Sequence, residues 1–357
     1  MVQPTTFNKE TKETTPGIME KREIPVPELQ PGEVLVEVAG CGVCHTDLAY
    51  FYDGVPTIQK APLTLGHEIS GTVVAGDKAW VGKEVIVPAV MPCRKCILCK
   101  TGRGNRCLDQ KMPGNSIGIY GGFASHIPVP SIDLCEVKNR GQMPLSHLAV
   151  IADAVTTPFM ATKRADLQQG DYAIVIGVRG GVGRYIGQFV KALGAKVVIG
   201  IGREEIEQLH LALDYGADYV MDITGKDTNT VAKDFRALCK EHGFPNTGWK
   251  IFEATGSKPG QDIALTLLGY TGKLIVVGYS PVKTEFVLSR LMAFDAEMIG
   301  TWGCLPEYYP IVLDMVLSGK INVEAFVETR PMSTIQATFA EVHKMPPLKR
   351  IVLVPDF

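Results

Sequence analysis

Four cysteines, Cys93, Cys96, Cys99 and Cys107, stand in the run MPCRKCILCKTGRGNRCLDQ with the spacing C-x2-C-x2-C-x7-C. Thiolates two residues apart on tight turns converge on one tetrahedral metal ion, and four of them close a zinc site. The chain has 357 residues and nine cysteines, so four between positions 93 and 107 is a poor fit to chance. A closed four-thiolate site leaves no position for water or substrate. Any reaction must therefore be sought in other residues.

Two further segments offer metal ligands. Cys44-His45-Thr46-Asp47 lies in AGCGVCHTDLAY, and Gly66-His67-Glu68 in LTLGHEISG. A catalytic zinc takes three protein ligands and keeps its fourth position open. Taken singly, each segment is equally compatible with packing, since a free cysteine is most often a small buried hydrophobe. For Asp47 and Glu68, a role in capping a helix or locking the fold stands beside a role in chemistry.

A third pattern points to a nucleotide. Gly177-Val-Arg-Gly180-Gly181-Val182-Gly183 follows the apolar run AIVIG and opens a helical pattern. Glycines there allow a tight turn, close approach of backbone to a pyrophosphate, and close packing of helix on strand. The helix N-terminus then faces the phosphates. The spacing, G-x-x-G-G-x-G, is one residue longer than the plain fingerprint. The next strand, VVIGIG, should end in an acid for the adenosine ribose. Instead Gly202 is followed by Arg203, Glu204 and Glu205. An arginine without the acid suits a 2′-phosphate, although either glutamate could serve the ribose, and Arg203 could equally be a solvated charge at a helix start.

The elements that must position these groups fall into two textures. Residues 22–38, REIPVPELQPGEVLVEV, read as a strand, a proline-rich turn and a second strand. Apolar alternation recurs over 69–75 and 84–90, which predicts a β-rich, barrel-like half. From residue 145 the pattern changes: LSHLAVIADAVTTPFMATKRA reads as helix. Then DYAIVIG, AKVVIGIG, KIFEATG and KLIVVGYS alternate with helical stretches. Such alternation predicts a parallel, doubly wound sheet over roughly 155–295. The tail KRIVLVPDF returns to strand texture and is expected to rejoin the first half.

Composition narrows the class. Net charge is −2, no Lys/Arg run appears, and hydrophobic residues make up 46%, enough for real cores. Nucleic-acid binding has little support. No apolar run reaches the roughly 18–20 residues of a membrane span, and the polar start MVQPTTFNKETKETTPG lacks the apolar segment of a signal peptide. The expected compartment is the reducing cytoplasm, where clustered cysteines bind metal rather than form disulfides.

GVCHTDL, LGHEISG, the four-cysteine lobe, the glycine turn and the late segments VVGY and IGTWG occur together in one order. In this the chain resembles the zinc-dependent medium-chain alcohol dehydrogenases over essentially its whole length. The resemblance implies a GroES-like β-barrel catalytic domain at 1–154 and 296–357, with a structural zinc lobe near 92–110. A Rossmann dinucleotide-binding domain would occupy 155–295. It implies two zinc ions per subunit. Cys93, Cys96, Cys99 and Cys107 would hold the structural one, and Cys44, His67 and Asp153 the catalytic one. Asp153 lies in Asp153-Ala-Val-Thr-Thr157, where many relatives carry Cys.

Neighbouring roles follow from the same resemblance. Thr46 would accept the alcohol proton. His45 would lie near the pyrophosphate, and Thr157, Val277 and Gly278 near the nicotinamide, with Gly177, Gly180, Gly181, Val182, Gly183, Gly202, Arg203 and Thr301 holding the rest of the cofactor. Glu68 would stand close to the zinc, and Asp47 would orient His67 through its other ring nitrogen. Many relatives pass the proton onward through a His where this chain has Ala49.

The segments VIVPAVMPC, QKMPGN, GGFASHIPVP, NTGWKIFEATGSKPGQ, LMAF and WGCLPEYYP resemble one subgroup, the 6-hydroxycyclohex-1-ene-1-carbonyl-CoA dehydrogenases of anaerobic benzoyl-CoA degradation. That implies oxidation of a ring alcohol beside a CoA thioester to the 6-oxo compound. NAD is the cofactor on subgroup grounds, with NADP left open by Gly202 and Arg203. A homodimer or homotetramer is expected. A general dehydrogenase for secondary or cyclic alcohols is the nearest alternative. A non-enzymatic zinc-stabilised binding module and a metal-free quinone-reductase-like relative fit less well, since the ligand residues are retained.

Overall fold

The computed structural model describes residues 1–203, 206–345 and 347–357. The chain divides into two units. One holds Met1–Thr156, Gly303–Leu317 and Val323–Phe357; the other holds Thr157–Trp302 and Ser318–Asn322. Among the described residues no helix is long and apolar enough to cross a membrane.

The first unit is built on a seven-stranded sheet. Its strands run Val327–Pro331, Arg350–Val354, Glu33–Gly42, Glu68–Gly76, Glu84–Val87 and Cys135–Glu136, with His126–Pro130 also beside Glu33–Gly42. The long Glu33–Gly42 strand shares one edge between two partners. Residues 33–37 pair with His126–Pro130, while Cys41 and Gly42 pair with the C-terminal strand. Bulges between Leu35/Val36 and Val38/Gly40 bend it between these partners. Val34, Val36 and Val38 alternate into the core with Ile69, Val73, Val85, Ile127 and Leu353, as a period-2 pattern requires.

Several sequence expectations change here. The strand expected before the proline-rich turn does not form: residues 21–30 have no regular structure. Pro25 and Pro27 remove ladder donors, leaving the extended segment unpaired. The strand expected over 84–90 stops at Val87, ahead of Pro88. The helix expected over 145–165 is two pieces. A 3-10 helix spans Leu145–Ala152, the chain breaks at Asp153 (φ −144°, ψ −56°), and an α-helix runs Thr156–Arg164. That break frees Asp153 from the apolar helical face.

The second unit is a six-stranded, all-parallel sheet. In space its order is Tyr219–Asp222, Val197–Gly202, Tyr172–Ile176, Lys250–Glu253, Lys273–Val276 and Glu297–Gly300. The first strand in sequence lies in the middle, and the order reverses between Tyr172–Ile176 and Lys250–Glu253. Sheets of this kind bind ligands beyond the strand C-termini at such a reversal. Helices cover two apolar faces, one centred on Ile199, Phe235, Trp249 and Ile251, the other on Val175, Ile186, Val198 and Phe252. Asp227 accepts the Thr230 N–H at 2.7 Å and so starts the Thr228–His242 helix, which ends on Gly243 at φ 67°.

Phe252 is fully buried on a central strand of this unit. Phe252→Ala is expected to lower unfolding free energy by about 3–5 kcal/mol, read as a lower denaturant midpoint with unchanged slope. A loss below about 1 kcal/mol would contradict the packing described.

Candidate metal centres and cofactor site

The four lobe cysteines lie on a short helix, Ile97–Lys100, and the turns around it. Their ligand atoms all fall within 4.8 Å of one another. Cys96 Sγ is 3.5 Å from Cys99 Sγ and 3.8 Å from Cys107 Sγ. Four sulfurs about 2.3 Å from a central zinc would be about 3.8 Å apart, so the cluster already has nearly the right size. Backbone N–H groups point at the sulfurs. Lys95 and Cys96 donate to Cys93 Sγ at 3.4 Å, and Cys93 donates to Cys107 Sγ at 3.2 Å. The N–H groups of Leu108 and Cys99 pull the Cys96 thiol down to about 6, while burial and the neighbouring thiols push Cys99 up to about 12. Without a cation the four cannot ionise together; a divalent ion removes that conflict. Arg94 in the lobe pairs with the buried carboxylate of Asp133, one contact measuring 3.0 Å, which fixes the lobe to its unit.

The second cluster comprises Cys44, His67, Glu68 and Asp153, again with ligand atoms within 4.8 Å. Cys44 precedes the His45–Tyr52 helix, and Thr46 lies in that helix's first turn. One fully buried carboxylate ties the two ligand-bearing loops. Asp47 Oδ2 accepts the Cys44 N–H at 3.1 Å, and Oδ1 accepts the Gly66 N–H at 3.0 Å and lies 3.3 Å from His67 Nδ1. Asp153 Oδ2 reaches to 3.5 Å from His67 Nε2 and 3.9 Å from Cys44 Sγ. Both ring nitrogens of His67 are buried without a hydrogen bond in the protein, Nδ1 facing Asp47 and Nε2 facing Asp153. Burial alone would discharge His67, but the Asp47 charge and contacts to Asp153 and Cys44 hold its pKa well above normal. A nitrogen so placed among anionic donors is where a cation fits.

Glu68 is also fully buried, and Arg350 from the C-terminal strand pairs with it, Nε to Oε2 at 3.0 Å. Burial raises the Glu68 carboxyl pKa, and Arg350 opposes that rise. The two side chains meet across Gly42, the strand partner of both Glu68 and Val352. A Cβ on Gly42 would lie 2.1 Å from Glu68 Oε2, so glycine is required there. Sequence reasoning missed Arg350; its only signal was a lone arginine opening an apolar strand.

In the second unit, the strand Tyr172–Ile176 runs into Gly177 (φ 83°), and the Gly183–Ala192 helix begins six residues later. A Cβ on Gly183 would lie 2.1 Å from the Gly177 carbonyl oxygen. This is the close helix–strand approach that a third fingerprint glycine allows. Gly180 donates its N–H to the Gly177 carbonyl at 2.9 Å, closing the turn that carries Gly181 and Val182. Glu253, buried at the end of the next strand, accepts the Thr255 N–H at 2.7 Å and shapes the turn through Gly256. That turn lies against both Gly177 and Gly278, so three loops meet at the sheet reversal; Glu253 had no sequence signal. Val277 and Gly278 donate their N–H groups to the Glu253 carbonyl at 2.9 Å. Thr301 donates its N–H to Val276 at 3.2 Å, and its hydroxyl is buried without a partner in the protein. Thr157 opens the residues of this unit, whereas His45 belongs to the first.

Gly202 ends its strand with no carboxylate. A Cβ there would meet Leu209 at 2.9 Å and the Arg179 side chain at 3.7 Å. Arg203 is exposed, and Glu204 and Glu205, the candidate ribose acids, lie outside the described residues.

A doubly wound parallel sheet with a glycine turn at its reversal, in a chain that also carries a Cys–His–carboxylate cluster, is the combination of a metal-dependent dehydrogenase. The family comparison places it further. The Alcohol dehydrogenase GroES-like domain matches residues 30–139, and Zinc-binding dehydrogenase matches residues 181–318. The chain belongs to the zinc-dependent medium-chain alcohol dehydrogenase family. It is 29% identical to an alcohol dehydrogenase of Geobacillus stearothermophilus, over 94% of this chain and 95% of that one. It is 28% identical to a D-arabinose 1-dehydrogenase (NADP(+)) of Saccharolobus solfataricus, covering 90% and 89%. The crystal structure of the alcohol dehydrogenase from the archaeon Aeropyrum pernix superposes with a TM-score of 0.81 at 28% identity, covering 94% and 96%.

Cys107→Ser is expected to remove the lobe metal and lower the thermal midpoint, because a structural site contributes folding free energy. Metal retained at the lobe together with an unchanged midpoint would contradict this assignment.

Proposed function

We propose that Cys44, His67 and Asp153 hold a catalytic zinc with one open position, and that the chain oxidises a secondary alcohol. The observation that supports this most is the buried His67 Nε2, which makes no hydrogen bond within the protein and lies 3.5 Å from Asp153 Oδ2. Zinc there would supply a Lewis acid that makes a coordinated alcohol acidic near neutral pH, and a nicotinamide would supply the hydride acceptor.

The chain's own residues do the rest. A Cys44 thiolate and an Asp153 carboxylate balance a divalent charge. Asp47 holds His67 through Nδ1, leaving Nε2 for the metal. Thr46 accepts the alcohol proton. Ala49 is apolar and buried, so the side chain at that position takes no part in passing the proton on from Thr46. The three loops joined by Glu253, Gly177 and Gly278 hold the nucleotide, with the helix at Gly183 facing its phosphates.

The substrate in this reading is 6-hydroxycyclohex-1-ene-1-carbonyl-CoA, oxidised at the ring alcohol to the 6-oxo compound with NAD⁺. Its support is the set of subgroup segments, among them QKMPGN and WGCLPEYYP. The broader activity, an NAD(P)-dependent alcohol or polyol dehydrogenase, is the one shared with the relatives compared above. A second cofactor reading, NADP, is favoured by one observation: Arg179 beside Gly202, where an acid would serve NAD. Assembly as a homodimer or homotetramer in a reducing cytoplasm completes the proposal.

Steady-state kinetics decide between these readings. The proposal expects kcat/KM for the cyclic hydroxyenoyl-CoA to exceed that for simple cyclohexenols by at least about 100-fold, a gap of about 2.7 kcal/mol, with NAD⁺ preferred to NADP⁺. Equal values for the free alcohols would remove the CoA ester; a preference for NADP⁺ would select the Arg179 reading.

A further inference from the structure

We infer that Tyr309 is a positioning residue for the open metal site, its phenol fixing the peptide from which Asp153 projects; this rests on the reading of Cys44, His67 and Asp153 as metal ligands. Tyr309 is fully buried and is the first residue of the Tyr309–Leu317 helix. Its hydroxyl donates to the Ala152 carbonyl and accepts the Ala89 N–H at 3.1 Å. The phenol thus stands between two segments that lead to metal ligands. Ala89 follows the Glu84–Val87 strand and precedes Cys93 by four residues. Ala152 ends the 3-10 helix immediately before Asp153.

The geometry at Ala152 explains why a donor is needed. The chain leaves helical conformation at Asp153, so the Ala152 carbonyl is a buried helix-end acceptor. An unmade hydrogen bond at such a group is costly, and the chain would turn the peptide to find another donor. Tyr309 satisfies the carbonyl. The Thr156 hydroxyl reaches the same oxygen at 3.3 Å and the Asp153 carbonyl at 3.4 Å. Two hydroxyls therefore fix the orientation of the 152–153 peptide. Rotation of that peptide would swing Asp153 Oδ2 from its place 3.5 Å from His67 Nε2 and 3.9 Å from Cys44 Sγ. A ligand on an irregular segment depends on such support more than one within a regular helix or strand.

Tyr309→Phe keeps the ring and removes only the hydroxyl. The test replaces zinc with Co²⁺ in the intact chain and records the visible ligand-field spectrum and the Co²⁺ dissociation constant of each site. The expected result is about tenfold weaker Co²⁺ binding at the Cys44–His67–Asp153 site, with altered bands. The four-cysteine site should keep its affinity, and KM for the nucleotide should not change. Unchanged affinity and spectrum at the open site would overturn the inference, even with a lower thermal midpoint, because a purely structural phenol would affect stability alone. Should Tyr309→Phe not fold, Thr156→Val removes the second donor to the same carbonyl; weakened Co²⁺ binding supports the inference, and wild-type binding overturns it. A wild-type chain that binds Co²⁺ only at the four-cysteine site would overturn the open-site reading, and this inference with it.

Discussion

The first unit is organised around buried negative charge. Asp47 and Glu68 are fully buried, and Cys44 and Asp153 bring two more acidic groups beside the same histidine. Withdrawing an ion from water costs several kcal/mol unless a partner of opposite charge sits close by. Nearby donors and cations offset that cost. Asp47 has His67 and two backbone N–H groups; Glu68 has Arg350. Cys44 and Asp153 converge on the Nε2 side of His67, where the proposed divalent cation would answer them. Arg350 comes from 282 residues beyond Glu68, so the site is complete only when the C-terminal strand has paired with Cys41 and Gly42.

In the proposed reading, the two clusters divide structure from chemistry by their ligand sets. Four thiolates surround an ion on all sides and can only hold the lobe together. The proposed thiolate, imidazole and carboxylate set would leave one direction open. As a proposed ligand, Asp153 would bring a hard donor to a site whose Cys44 is a soft one. The carboxylate also has two oxygens to orient, which makes the irregular peptide at Ala152–Asp153 a point of control.

Much of this was legible in the sequence because it depends on local spacing. The cysteine run, the glycine turn and the alternation of strands with helices each arise from residues near one another in the chain. Extended texture at 22–27 misled because alternation ignores donors, and Pro25 and Pro27 have none to give. The single helix read over 145–165 failed at Asp153, where continuous apolar periodicity concealed a break. Arg350, Tyr309 and Glu253 were not readable, because their partners are brought to them by the fold or are backbone atoms. The arginine meets Glu68 only through strand pairing, and the tyrosine acts on the carbonyls and amides of other segments.

The central claim is that two chemically distinct metal sites exist in one chain, with Asp153 belonging to the open one. The most direct measurement is the zinc content of purified wild-type protein beside that of Asp153→Ala, by elemental analysis at known chain concentration. The account predicts two zinc ions per chain for the wild type and one for the variant, with the secondary-structure spectrum unchanged. Equal zinc content in the two proteins, whether two, one or none, would contradict it.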